Sequence, residues 1–218
     1  MSAIEANNGI NSAASALPEE TKMVFCDFKV VETGIKHGTV TVVMDGNPLE
    51  ITTYRIDGKY EDNRHPESVS FTQNIVEDLS RRDFTMNAIA YNPRVGFVDP
   101  FGGVEDIRNG IVRSVGDAEK RFREDALRIL RCVRFSSALG FSIEEKTADA
   151  VVSLVDLLDN VSAERVFAET KKMICGKNLS SVMNEFVCVI TKIIPELSSS
   201  VGFEQKSKYH IYDVYTHT

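Results

Sequence analysis

Two rhythms of apolar and polar positions divide this chain. The first is the short period of strands. Gly38-Thr-Val-Thr-Val-Val-Met44 and Leu49-Glu-Ile-Thr-Thr-Tyr-Arg55 are β-branched runs joined by Asp45-Gly46-Asn47-Pro48. Turn-forming residues between two such runs predict a β-hairpin. Ahead of it, Leu17-Pro18-Glu19-Glu20 predicts a helix start. Proline fits a first turn, and acidic side chains favour the positive end of the helix dipole. That helix should run to about Phe25. Residues 1–16 are small and polar with no periodic apolar face, and are expected to be a disordered lead-in. Residues 57–74 are polar with Gly and Pro, which predicts a long mobile loop with a short strand at Val69–Phe71.

Beyond residue 74 the rhythm lengthens to that of helices. A helix is predicted from Ile75 to Tyr91, with Leu79, Met86 and Ile89 or Ala90 turned inward. Phe97-Val-Asp99 reads as a short strand ending in the turn Pro100-Phe-Gly-Gly103, and Ile111-Val-Arg-Ser-Val115 as another. Helices follow at about 117–139, 144–157 and 162–175, with one or two shorter ones to Leu197. The organisation is therefore α+β. A lead-in (1–16) precedes a small head of sheet and helices (17–115), an all-helical part (116–200) and a last segment (201–218).

Composition narrows the picture. The chain has 218 residues, 43% hydrophobic and 26% charged, as in an ordinary globular protein. This excludes a collagen-like chain, a coiled coil and a disordered tail. The four cysteines, Cys26, Cys132, Cys175 and Cys188, form no CxxC pair, so neither a disulfide framework nor a zinc site is expected. No apolar run approaches the roughly 20 residues of a membrane span, and no leader is visible, so the expected setting is the cytoplasm. The net charge of −7 argues against strong non-specific binding of nucleic acid. The charge is uneven, however. Residues 81–134 hold 11 Lys and Arg against 8 Asp and Glu, and every cation there except Lys120 is Arg.

Two segments of that basic stretch carry candidate chemistry. On a helix, Phe122, Ala126, Ile129, Leu130 and Val133 fall within an arc of roughly 100°. Glu124, Arg128 and Arg131 fall on the opposite side, flanked by Asp125 and Arg134. A charged face of this kind often means only solvent and i,i+4 ion pairs. Arginine, though, has a rigid fork suited to phosphate oxygens and base edges. An Asp beside an Arg offers an acceptor and a donor together, as a base edge does. The second segment is Leu79-Ser-Arg-Arg-Asp-Phe-Thr-Met-Asn-Ala88. Ser80 could cap a helix there with Asp83 completing a box. In the functional reading Arg82 meets a phosphate, Asp83 a ribose hydroxyl, and Asn87 holds the loop.

Taken in order, five segments resemble a known family. They are Gly34-Ile-Lys-His-Gly-Thr-Val40, Glu50-Ile-Thr-Thr-Tyr-Arg55, Arg81-Arg-Asp-Phe-Thr-Met-Asn-Ala88, Asp99-Pro-Phe-Gly-Gly103 and Arg123-Glu-Asp-Ala-Leu-Arg-Ile-Leu-Arg131. Their order and spacing are similar to those of the tRNA nucleotidyltransferases of class II in the polymerase β superfamily. These are the CCA-adding enzymes and their bacterial poly(A) polymerase relatives. Ser162-Ala-Glu-Arg165 with Glu169 resembles a further helix motif of that family. The resemblance implies addition of CMP and AMP to a tRNA 3′ end from CTP and ATP, with Mg²⁺. A poly(A) polymerase and a non-catalytic nucleotide- or RNA-binding remnant are the alternatives.

The resemblance also implies roles. Asp125 and Arg128 would read the base of the incoming CTP or ATP. Arg131 and Arg134 would contact the triphosphate or set the base-reading pair. Arg82 and Asp83 would hold phosphate and ribose. The 57–74 loop would take part in the switch from C to A addition, and Gly102-Gly103 would be a hinge. His37 is not expected to act as a general base, since this chemistry relies on metal ions and positioning.

Several features depart from the family pattern. The family places an Asp-x-Asp just upstream of a stretch matched here by Ser15-Ala-Leu-Pro18, but those positions hold Gly9 and Asn11. The Gly-Gly-x-Val-Arg-Asp stretch further upstream has no counterpart. Glu50 could be the third carboxylate, yet a single carboxylate cannot hold two divalent ions, so no intact metal site is expected. His210 to Thr218 resembles the opening of an HD phosphohydrolase domain, with His217 alone and the tail frayed. The expectation is a central slice of a longer enzyme, with an unpaired sheet edge and a weakly stable head.

Overall fold

The computed structural model describes residues 10–58, 60, 67–204 and 212–217. They form two compact units that part between Val104 and Glu105.

The first unit is built on a four-stranded mixed sheet. In chain order come β1 (Ile10–Ala14), α1 (Pro18–Val24), β2 (Lys29–Val31), β3 (Thr39–Met44) and β4 (Asn47–Thr53). The strand order is β1-β4-β3-β2. The predicted hairpin is β3–β4, closed by a two-residue turn with Asp45 at φ 49° and Gly46 at φ 79°. Both central residues at positive φ is the turn geometry whose twist matches the strands. One sheet face buries Val40, Val42 and Ile51, joined by Ala14, Phe25, Val30, Met44 and Leu49. On α1, which starts at Pro18 as expected, the Glu20 carboxylate accepts the Leu17 amide at 2.8 Å and closes the first turn.

The lead-in departs from expectation at residues 10–14. This stretch is strand β1, parallel to β4 with Asn11 opposite Glu50. The edge of β4 is therefore paired rather than open. Three of its five residues are Ser or Ala, so no alternating pattern announced it. The backbone groups of β4 recruit it, and the Tyr54 amide extends the ladder to the Ala14 carbonyl at 2.8 Å.

The unit continues with β5 (Arg55–Asp57) and β6 (Val69–Phe71), an antiparallel pair. The expected strand at Val69–Phe71 is present. The loop between the two lies largely outside the described residues. The helix expected from Ile75 to Tyr91 is shorter, with α2 spanning Ile75–Ser80. A 3-10 turn at Thr85–Asn87 and a hairpin of β7 (Ala90–Asn92) with β8 (Gly96–Val98) take up the rest. Of the positions expected to turn inward, Leu79 and Met86 are buried, but Ile89 and Ala90 are only half-buried; Phe84 and Ala88 are buried instead, because the chain does not continue as a helix. Beyond the end of α2, Asp83 turns back on the chain and shapes the turn that follows. Its Oδ1 accepts the Phe84 amide at 2.9 Å and the Asn87 side-chain amide at 3.0 Å. Ser80 ends α2 instead of capping a helix start, and its hydroxyl donates to the Glu77 carbonyl.

α3 (Gly103–Asn109) leads into the second unit. Next come β9 (Ile111–Val112), α4 (Ala118–Glu124), α5 (Leu127–Leu139), β10 (Ser142–Ile143) and α6 (Glu145–Ser153). The chain ends with α7 (Ala163–Ile174), α8 (Leu179–Glu185), α9 (Val187–Ile193) and α10 (Val214–His217). β9 is shorter than predicted and pairs in parallel with β10. It stops because the Ser114 amide donates to the Thr147 hydroxyl and Arg113 turns to Asp106. The predicted helix 117–139 is two helices, broken at Asp125, whose backbone is extended (φ −141°, ψ 105°).

Helix α5 is the centre of this unit. Ile129, Leu130, Cys132 and Val133 are fully buried. It lies so close to the end of α7 that the Ser137 hydroxyl donates to the Met173 carbonyl at 2.7 Å. The last described segment is anchored rather than frayed. Tyr215 is buried and donates to the Met183 carbonyl, while Asp213 accepts the Thr216 amide at 2.7 Å.

Candidate functional site

The candidate residues fall into separate clusters. In the first unit, Arg82 and Asp83 follow α2, and the group that organises them is Asp78, which sequence reasoning missed. The Asp78 carboxylate is buried. It accepts Arg81 at 2.7 and 3.0 Å, Arg82 at 3.1 Å and the Arg55 backbone amide at 3.2 Å. Burial pushes the Asp78 carboxyl up, but the guanidiniums of Arg81 and Arg82 and these hydrogen bonds outweigh it and hold the carboxyl below its ordinary value. Asp57 faces the same arginines, 3.0 Å from Arg55 and 3.7 Å from Arg81. Burial, then the neighbouring Arg81, lowers the Arg55 guanidinium from its ordinary value. Among the described residues three arginines face these two aspartates, and Arg82 is the most open of the three. The signal was in the sequence: Asp78 stands three and four residues before the Arg pair, at helical spacing.

Asp83 holds the turn with Asn87, so Asn87 does what was expected of it. Glu50 stands apart from this cluster. It is exposed on β4, with Asn11 opposite on β1 and Thr41 opposite on β3. Neither neighbour is a carboxylate. No group of three His, Cys, Asp or Glu able to hold a metal occurs among the described residues. Gly9 lies outside those residues. The donor set around Glu50 therefore does not fit a pair of divalent ions. The Gly102-Gly103 pair has a tight-turn role of its own. Gly102 has φ 74°, and a Cβ on Gly103 would collide with the Thr85 carbonyl oxygen. Asp99 closes this turn by accepting the Gly103 and Val104 amides at 2.7 and 2.8 Å.

In the second unit the Arg-rich segment is more ordered than a solvated helix face. Asp125 sits at the break between α4 and α5. Its carboxylate accepts the Leu127 amide at 3.1 Å, just ahead of α5, and receives Arg165 from α7 on both oxygens, at 3.1 and 2.9 Å. Arg128, one turn along α5, donates to Glu124 at 3.0 Å and to the Arg121 carbonyl at 3.2 Å. Arg121 reaches the same Glu124 oxygen at 2.8 Å. The side chains of Asp125 and Arg165 retain about a fifth of their exposure, whereas Arg128 retains half of that.

Arg134 and Arg131 face α7 instead of solvent. Arg134 meets the buried Glu169 at 2.9 Å and lies 3.5 Å from the centre of the Phe135 ring. Arg131 is 3.7 Å from Glu169 and 5.3 Å from that ring. The apolar arc of Phe122, Ala126, Ile129, Leu130 and Val133 is fully buried, as predicted. The opposite face is not open, because α7 covers part of it with Arg165 and Glu169. Those two partners were recognised only as a motif; one chain cannot show that residues 40 positions apart meet.

A mixed sheet carrying an Arg-rich turn, followed by helices with an ordered carboxylate–guanidinium array, is the layout of a nucleotidyltransferase head with its helical continuation. The chain belongs to the family of the poly(A) polymerase head domain, which matches residues 5–113. Residues 140–199 match a second family, described as the probable RNA- and SrmB-binding site of polymerase A.

Curated relatives agree. The chain is 52% identical over 167 residues to a CCA-adding enzyme of Geobacillus stearothermophilus, covering 77% of this chain and 41% of the relative. A CCA-adding enzyme of Lactobacillus helveticus is 48% identical over 178 residues, covering 82% and 44%. Among solved structures, the CCA-adding enzyme of Bacillus stearothermophilus in complex with CTP is similar at a TM-score of 0.70 and 46% identity. That match covers 79% of this chain and 41% of that one. The Thermotoga maritima CCA-adding enzyme complexed with tRNA gives 0.63 and 28%, covering 82% and 40%. The chain thus spans well under half the length of these relatives.

Proposed function

We propose that this chain carries the nucleotide-reading part of a CCA-adding tRNA nucleotidyltransferase. It recognises CTP and ATP, and acts at a tRNA 3′ end. The observation that supports this best is the pair Asp125 and Arg128. At the start of α5 they present an acceptor and a donor one turn apart, each held in place by a second ion partner, Arg165 or Glu124. A base edge needs such a pair, and prior fixation reduces the ordering cost of binding. Asp125 has lone pairs beyond those used by Arg165 and Leu127, since a carboxylate offers about four acceptor sites. Arg131 and Arg134, tied to Glu169, set the position of α5. Arg82 takes a phosphate, and Asp83 adjoins the ribose through the turn it shapes.

Transfer itself is a separate matter. The family reaction draws on divalent ions, and the residues around Glu50 do not make a two-ion site. We therefore assign nucleotide and RNA recognition to this chain, and little or no nucleotidyl transfer by it alone. No described helix is long and apolar enough to cross a membrane. All four cysteines are free thiols, which suits a reducing cytoplasm.

The test is incubation of the chain with tRNA lacking its CCA end, radiolabelled CTP and Mg²⁺, beside a CTP-binding titration. Binding without incorporation is expected. Robust incorporation would contradict the assignment, and absence of CTP binding would sink the whole reading.

A further inference from the structure

The β7–β8 hairpin holds two aromatic rings in water. Tyr91 and Phe97 are register partners, so both project from one face of the pair. Their ring centroids are 5.1 Å apart, and the residues are 65% and 70% exposed. Val95, beside the turn, is 76% exposed. These side chains contribute almost nothing to the core. A cluster of large apolar groups left outside is an interaction surface in the first instance.

Charge says what kind of partner it fits. Arg94 lies at the hairpin turn, exposed, and its guanidinium makes no ion pair among the described residues. No Asp or Glu occurs from Phe84 to Val98, in a chain whose net charge is −7. The next carboxylate, Asp99, has both oxygens occupied by the Gly103 and Val104 amides. The hairpin therefore offers two π-faces and one cation, and its own strands and turn carry no acid. Single-stranded nucleic acid matches all three features: its bases stack on aromatic rings and its phosphates meet arginine. A duplex hides its bases and matches only the cation.

We propose that the Tyr91–Phe97 face with Arg94 is a stacking platform for single-stranded RNA. This deepens the RNA reading above and rests on it for the source of the strand. It does not depend on Asp125.

The chain contains no tryptophan, so Phe97→Trp places a lone indole reporter on the platform. An oligoadenylate RNA octamer should quench its emission to saturation, and a blunt RNA duplex of the same length should do so far less. Tyr91→Ala should weaken octamer binding by about tenfold, the scale of one lost base stack. Arg94→Glu, at an exposed turn that leaves the ladder intact, should weaken it and flatten its salt dependence. Calorimetric CTP affinity should be the same in all three variants. Unchanged indole emission while a fluorescein-labelled octamer shows high anisotropy would place the RNA elsewhere and overturn the proposal. Absence of octamer binding would also overturn it, whether or not CTP binds. Loss of CTP binding in the parent chain with octamer quenching intact would instead count against the nucleotide reading alone.

Discussion

Asp78 shows how one missed residue changes the account of a site. Its carboxyl is held below its ordinary value of 3.8, because Arg81 and Arg82 outweigh the effect of burial. The sign follows from linkage: a group with a depressed folded pKa stabilises the fold above its unfolded value, and that stability is lost as pH falls through the folded value. Urea midpoints of the parent chain should therefore drop faster below about pH 4 than those of Asp78→Asn. Parallel pH profiles would contradict this. Glu169 is the corresponding residue in the second unit. Glu169→Ala leaves the buried Arg134 guanidinium without its partner at 2.9 Å. Breaking one side of a buried pair costs about 3–5 kcal/mol, read as a loss of urea stability. A change near zero would contradict Glu169 as the anchor of Arg134. Both clusters were half legible in the sequence. The arginines stood out by type and spacing, but which of them meets an acid across the fold depends on tertiary contacts that no single chain displays.

At the scale of elements, the strong patterns came through and the weak ones did not. The β3–β4 hairpin and the buried arc of α5 follow from β-branched runs, turn residues and the 3.6-residue period. β1 was invisible because Ser and Ala carry little strand preference; it exists through pairing with β4. The turn at Asp83 and the break at Asp125 share one feature, an aspartate bonded to a backbone amide that follows it. An aspartate that bonds its own following amides competes with the helix, and periodicity alone cannot see this. The break places Asp125 at the mouth of α5, where its carboxylate faces Arg165. Gly103 illustrates a constraint of the opposite kind. Its missing Cβ lets α3 start against the Thr85 carbonyl. Gly103→Ala should destabilise the chain by about 1–3 kcal/mol in urea, the usual cost of overpacking a close contact. A neutral result would show that the Asp99 turn can shift without penalty.

Over the whole molecule, the acidic balance is compatible with the proposed RNA recognition because the charge is segregated. The stretch from Arg81 to Arg134 is locally basic, and much of that charge is fixed by internal acids such as Asp78, Glu124 and Glu169. On the proposed reading, recognition rests on a few placed groups instead of a general positive field. The two units also differ in core. Among the described residues the first unit buries Val40, Val42 and Ile51 in its sheet and Leu79, Phe84, Met86 and Ala88 after it, whereas α5 alone buries Ile129, Leu130, Cys132 and Val133 completely and the rest of the second unit adds many more. The unit ending at Val104 should accordingly melt first in a scan that follows β and α signals separately. A single sharp transition at high temperature would contradict this. The central claim is that Asp125 and Arg128 read the base, and calorimetry tests it most directly. The parent chain should bind CTP and ATP in preference to GTP and UTP, and Asp125→Ala should weaken CTP and ATP by tenfold or more, on the order of one good bidentate contact. Unchanged CTP and ATP affinity in Asp125→Ala would show that the base is read elsewhere.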